Sequence, residues 1–124
     1  MTDLAESSNE VLDRSVLASL RELQGEGEPD IVAEVGDLFI EHAPQKIAAM
    51  KKAASEGDSK ALEVAAHSLK SSSSYVGALK LSAISKELEF MGRSGALEGS
   101  VEKAALVELE FKRVKAALEA EIGK

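Results

Sequence analysis

Between Gly57 and Gly77 the chain runs without proline or glycine, and its apolar residues recur in steps of three and four. At about 100° per residue, Leu62, Ala65, Leu69, Ser72 and Val76 fall on one narrow stripe, which predicts a helix that buries this face. A strand cannot use that spacing, because its side chains alternate with a period of two. His67 falls opposite the stripe, together with Lys60, Glu63, Lys70, Ser71 and Ser74. The imidazole is therefore expected in solvent, with an ammonium one turn later and small side chains beside it. That placement suits an accessible nucleophile better than a packing residue.

The rest of the chain repeats the helical pattern. Asp13 is a fitting N-cap for a short helix with Val16, Leu17 and Leu20 on one side. After a connector at 24–28, Pro29 suits the first turn of a second helix reaching about Ser55. Ile31, Val35, Leu38, Phe39 and His42 form its apolar stripe, so His42 is expected to pack in the core, and Pro44 is expected to kink the helix. Gly57 suits the end of that helix and Asp58 the cap of the next, which carries His67 and ends near Gly77. A fourth helix is expected over about Ala78 to Arg93, with Leu81, Ile84, Leu88 and Met91 inward. Gly92, Gly95 and Gly99 mark a loop, and a last helix from about Ser100 to Ile122 buries Val107, Phe111, Val114 and Leu118. Its charged residues, Glu108, Glu110, Lys112 and Arg113 among them, read as a solvated face. Four long helices with short connectors predict an all-α fold: an up-down-up-down antiparallel four-helix bundle with a short extra N-terminal helix across one end. Residues 1–10 lack periodicity and read as a disordered tail, leaving 11–124 as one domain.

Composition narrows the function. Aromatic residues make up 3% of the chain and there is no cysteine, which excludes disulfides and thiolate metal sites. A net charge of −7 argues against nucleic acid as a partner, since phosphate binding needs clustered cations. No apolar stretch is long enough to span a bilayer, and the N-terminus lacks the pattern of a signal peptide, so a cytoplasmic protein without a membrane partner is expected.

His67-x-Leu69-Lys70, followed by small residues and Gly77, resembles the signature of histidine-containing phosphotransfer (HPt) domains, usually written H-x-L-K-G with a second glycine further on. The similarity extends from roughly Val11 to Ile122 in the order and length of the helices, with one departure: Ser71 stands where the family has glycine. The resemblance implies that His67 carries a phosphoryl group between a sensor or hybrid histidine kinase, or a receiver aspartate, and the receiver aspartate of a response regulator. It implies a carrier without kinase activity of its own, and a monomer. The initiating Met and polar tail favour a free-standing protein.

The residues fit that chemistry. Imidazole is nucleophilic when neutral, and phosphoryl transfer needs mainly positioning and charge stabilisation. Lys70, three residues on, can reach phosphoryl oxygens from the same face. Ser71 offers a hydroxyl that either bonds those oxygens or hinders close docking. No cluster of Asp and Glu near His67 in the sequence suggests a metal pocket, and no glycine loop suggests a phosphate cradle, so no cofactor of its own is expected and Mg²⁺ would come with the partner receiver. A His42–His67 metal pair would lack a third ligand. Docking needs a flat centre, supplied by Ser71 and Ser74, bordered by Gly77, and an apolar edge, for which Val16, Leu17 and Leu20 of the short first helix are the candidates. The competing reading is a helical adaptor that binds receiver domains without exchanging phosphate.

Overall fold

A computed structural model describes residues 11–123, in which five helices follow one another: α1 (Arg14–Glu22), α2 (Ile31–Glu56), α3 (Ser59–Tyr75), α4 (Leu79–Ser94) and α5 (Ser100–Ile122). The tail expected at 1–10 lies outside the described residues. Among the described residues there is no strand, and no helix is long and apolar enough to cross a membrane. The four long helices form a ring in which α3 touches α2 and α4, and α5 touches the same two from the other side. α1 lies against α2.

Local chemistry explains the boundaries. Asp13 caps α1 by accepting from the Ser15 amide at 2.9 Å, and Asp58 caps α3 by accepting from the Ala61 amide at 3.1 Å. α2 begins one cap later than the sequence suggests. Asp30 accepts from the Val32 amide, so Pro29 stands before the cap and not in the first turn. The helix continues through Pro44 and ends at Gly57, whose φ of 70° few side chains tolerate. The core is aliphatic, with Leu62, Leu69, Leu81, Leu88 and Leu118 fully buried, each contributing about 1.5–3 kcal/mol by its removal from water. Phe39 of α2 meets Phe111 of α5 at a centroid distance of 5.8 Å and a tilt of 49°.

α3 is rotated relative to the expectation. Its most buried positions are Leu62, Ala66, Leu69, Ser73 and Val76, whereas Ala65 is slightly less buried and Ser72 only half-buried. The cause is the closeness of α4. A Cβ added to Gly92 would lie 2.6 Å from the Glu63 nitrogen and 2.7 Å from the Ser59 carbonyl oxygen, so the α4 backbone rests directly on α3. Ser82, Ser85 and Glu89 continue that seam, and all three are buried. The opposite edge of α3, with Ser72, faces a looser groove against α2.

Two further expectations are corrected. His42 is exposed: the core face of α2 runs through Val32, Phe39, Ala43 and Ile47, which leaves the imidazole on the rim of the α2–α3 groove. Glu110 is buried, where a solvated face had been expected; Arg113 donates to its Oε1 at 3.1 Å.

Candidate functional site

His67 occupies the outward face of α3, and its side chain is 61% exposed. The sequence reading missed what holds it. Nδ1 lies 2.7 Å from Oε2 of Glu89, a residue on α4 that is only 4% exposed. The same carboxylate binds the Lys70 ammonium through Oε1 at 2.8 Å and the Arg93 guanidinium through Oε2, also at 2.8 Å. The hydrogen bond from Lys70, reinforced by the one from His67, holds the Glu89 carboxyl at a pKa of about 2, below its ordinary 4.5, despite the opposing effect of burial.

An ionised carboxylate only accepts hydrogen bonds. In the neutral ring Nδ1 of His67 therefore carries the proton it donates to Glu89, and the lone pair is on Nε2. The seam thus selects the tautomer and directs the free nitrogen away from α4. Arg93 extends the network by donating to Glu63 at 3.1 Å, and Lys60 approaches the other oxygen of Glu63 at 3.6 Å. Lys70 and Arg93 flank the carboxylate beneath the imidazole, and Arg93 and Lys60 share Glu63 further along α3, so the network of three cations and two carboxylates carries one positive charge in excess on a protein of net charge −7.

Lys70 therefore stands where the sequence placed it, on the histidine's side of α3, engaged with Glu89. Ser71 is exposed on the same helix. The exposed Ser74 turns its hydroxyl toward α4, 2.8 Å from that of Ser82, which in turn donates to the Lys70 carbonyl at 3.0 Å.

The residues expected to dock a partner divide. Leu17 and Leu20 are 2% and 5% exposed and belong to the core, because α1 lies flat enough to bury both. Val16 is half-buried on the edge of a groove that also includes Leu23, Ser74 and Tyr75. Gly77 is buried and borders no open surface. Its φ is 80°, its carbonyl accepts from the Asp13 amide at 2.7 Å, and a Cβ there would meet the Asp13 oxygen at 2.9 Å. Gly77 thus seats the start of α1 on the end of α3. The exposed apolar side chains on this flank are Leu23, Leu38 and Tyr75. Tyr75 lines both the α1–α3 groove and the α2–α3 groove, the latter about 190 Å³ and shared with Leu38, Phe39 and His42.

Glu89 had left a trace in the sequence. Ser82, Ser85, Glu89 and Gly92 recur at steps of three, four and three, a helical stripe of small and polar residues beside the apolar stripe of α4. Such a stripe marks a close polar contact between helices.

Comparison with known proteins agrees with this geometry. The Hpt domain family matches residues 34–120. Histidine-containing phosphotransfer proteins 2 and 5 of Arabidopsis thaliana are each 32% identical to the chain, over 103 and 105 residues. These alignments cover 81% and 82% of this chain and 66% and 67% of the plant proteins, so the chain spans about two thirds of their length. The crystal structure of histidine-containing phosphotransfer protein B from Pseudomonas aeruginosa PAO1 superposes with a TM-score of 0.81 at 32% identity, covering 91% of this chain and 95% of that one.

Proposed function

This chain belongs to the histidine-containing phosphotransfer family, and we propose that it carries a phosphoryl group on Nε2 of His67 between the proteins of a two-component phosphorelay. The observation that supports this most is the bond from Nδ1 of an exposed histidine to a buried, ionised carboxylate.

The Nε2 lone pair attacks the phosphorus of an aspartyl phosphate on a receiver domain (or of a kinase's phosphohistidine). The N–P bond forms as the bond to the donor breaks, and the donor leaves with its electron pair. Because Nδ1 keeps its proton, the ring becomes an imidazolium as the bond forms, and Glu89 lies 2.7 Å away to stabilise that charge. The same protonated ring is a good leaving group when a second receiver carboxylate attacks the phosphorus, so the transfer runs in either direction. Lys70 is the cation nearest the acceptor on its own helix, and it gives up Glu89 Oε1 for a phosphoryl oxygen when the group arrives.

The carboxylate bonded to His67 is already engaged by two cations, so the proposal assigns Mg²⁺ and the acceptor carboxylate to the receiver. It describes a carrier without kinase activity, working as a monomer in the cytoplasm with receiver domains and a sensor or hybrid histidine kinase as partners. Incubation with a receiver phosphorylated by labelled phosphate tests it. Acid-labile, base-stable label is expected on the wild type and not on His67→Gln. A receiver that binds yet transfers nothing would show a helical adaptor instead.

A further inference from the structure

α3 is flanked by α2 and α4, and each neighbour presents a large apolar side chain to solvent part-way along its length: Leu38, 55% exposed, on α2 and Phe90, 65% exposed, on α4, whose first residue Leu79 is also 47% exposed. Leu38 and Phe90 both belong to the histidine's side of the bundle. Leu38 shares its groove with Tyr75 of α3, and Phe90 lies one turn before Arg93, which reaches across to Glu63 and Glu89. Their surroundings are opposite in sign. Glu34 and Glu41 stand four residues before and three after Leu38; Lys86 and Arg93 stand four before and three after Phe90, and the one acidic neighbour there, Glu87, is neutralised by Lys103 at 2.6 Å. These spacings put both charges of each pair beside their apolar residue on the helix surface, and all four are exposed.

We propose that these two flanks form a polarised docking frame that fixes the orientation of a receiver domain over His67, with an acidic edge of the receiver on Phe90, Lys86 and Arg93 and a basic edge on Leu38, Glu34 and Glu41. The proposal rests on the phosphorelay reading and adds the recognition to it. Charge complementarity is its basis. A pocket that holds a divalent cation beside its own aspartate is acidic, and a protein of net charge −7 would repel it unless local charge prevails. Arg93, at the outer edge of the ion-pair network, and Lys86 beside Phe90 supply that local attraction on the α4 side. Neighbouring helix axes lie about 10 Å apart, and α2 and α4 stand diagonally in the four-helix ring, so their axes are about 14 Å apart. That exceeds the Debye length of about 8 Å at physiological ionic strength, so a partner senses each flank separately.

The test uses the full chain, the receiver domains encoded in its own genome, and phosphoramidate, a small donor that yields its phosphoryl group to imidazole and releases ammonia. Phosphoramidate needs no docking, so labelling of wild-type His67 reports on the acceptor alone; no label would overturn the phosphorelay reading and the docking frame together. With a receiver that exchanges with the wild type, Lys86→Glu and Glu41→Lys are each expected to slow capture by roughly fivefold or more at low salt, with Lys86→Arg behaving as wild type. Phe90→Ala is expected to speed dissociation, and thermal melts establish that each variant is folded. If the partner responds to net charge alone, Glu41→Lys will tighten binding, and that result overturns the proposal. Unchanged exchange in Lys86→Glu or Phe90→Ala overturns it too, while leaving His67 as the acceptor. If no receiver exchanges with the labelled wild type, the docking frame has no receiver to orient and is overturned.

Discussion

Glu89 of α4 accepts a hydrogen bond from Nδ1 of His67 on α3 at 2.7 Å while almost sealed from water, so one helix determines which nitrogen of the other's histidine is free. The carboxylate is depressed to a pKa of about 2, chiefly by Lys70 and then by His67. A carboxyl whose folded value lies below its ordinary 4.5 contributes stability that is complete above 4.5 and lost as the pH falls toward 2. Thermal melts are expected to show wild-type stability falling through that window more steeply than that of Glu89→Gln. At pH 7 the variant should be less stable by about 1–2 kcal/mol, a modest loss because Lys70 and Arg93 can turn to water. It should also accept phosphate more slowly, since an amide does not stabilise the imidazolium, and Glu89→Asp should recover part of the rate. A wild-type curve parallel to that of Glu89→Gln would remove the carboxylate from the account.

Lys70 carries the second expectation. Lys70→Ala should slow transfer about tenfold or more, consistent with a charge-assisted bond worth about 1.5–3 kcal/mol, and should shorten the life of the phosphorylated form. Receiver affinity measured by titration should hold, because Lys86 and Arg93 remain. Equal rates and lifetimes in the two proteins would make Lys70 a mere counter-ion of Glu89.

Gly92 tests the seam itself. A methyl group there meets the α3 backbone at Ser59 and Glu63, neither of which can rotate away, so Gly92→Ala must push the helices apart. Calorimetry should show a loss of about 1–3 kcal/mol, as for other overpacked sites. Phosphoramidate labelling should fall with it, as Glu89 is drawn away from His67. An unaltered melt would mean that α4 approaches less closely than described.

The first helix gives a contrast between neighbours. Leu17→Asp places a charge in the core and should unfold the domain, whereas Leu23→Asp and Tyr75→Ala alter exposed positions and should shift stability by less than about 0.5 kcal/mol. Both surface variants border the grooves beside α3 and should weaken receiver binding measurably in a titration. Full affinity in both would remove this flank from the docking surface.

What the sequence made legible follows from what local patterns encode. Asp13, Gly57 and Asp58 act within a turn or two of themselves, so the helix boundaries they set could be read directly, and Pro29 was misplaced by only one cap. His67 was recognisable as exposed because its own helix defines its face. The rotation of α3, which buries Ser73 in place of Ser72, depends on how closely α4 approaches, and a wheel drawn for one helix carries no such information. Leu17 and Leu20 looked superfluous to a short helix, but α1 packs across the end of the bundle, against the end of α3 and the last turn of α5, and buries both. Glu89 was the costliest omission: it sits 22 positions from its histidine, and only the polar stripe on α4 hinted that the two helices share a buried contact.

The central claim is that Nε2 of His67 is the acceptor, with Nδ1 protonated against Glu89. Nitrogen-15 and phosphorus-31 NMR of the phosphorylated chain tests it most directly. The account predicts one phosphohistidine at His67, with phosphorus coupled to Nε2 and a proton on Nδ1, and no such signal in His67→Gln. Phosphorus on Nδ1, or a signal that persists in His67→Gln and maps to His42, would contradict it.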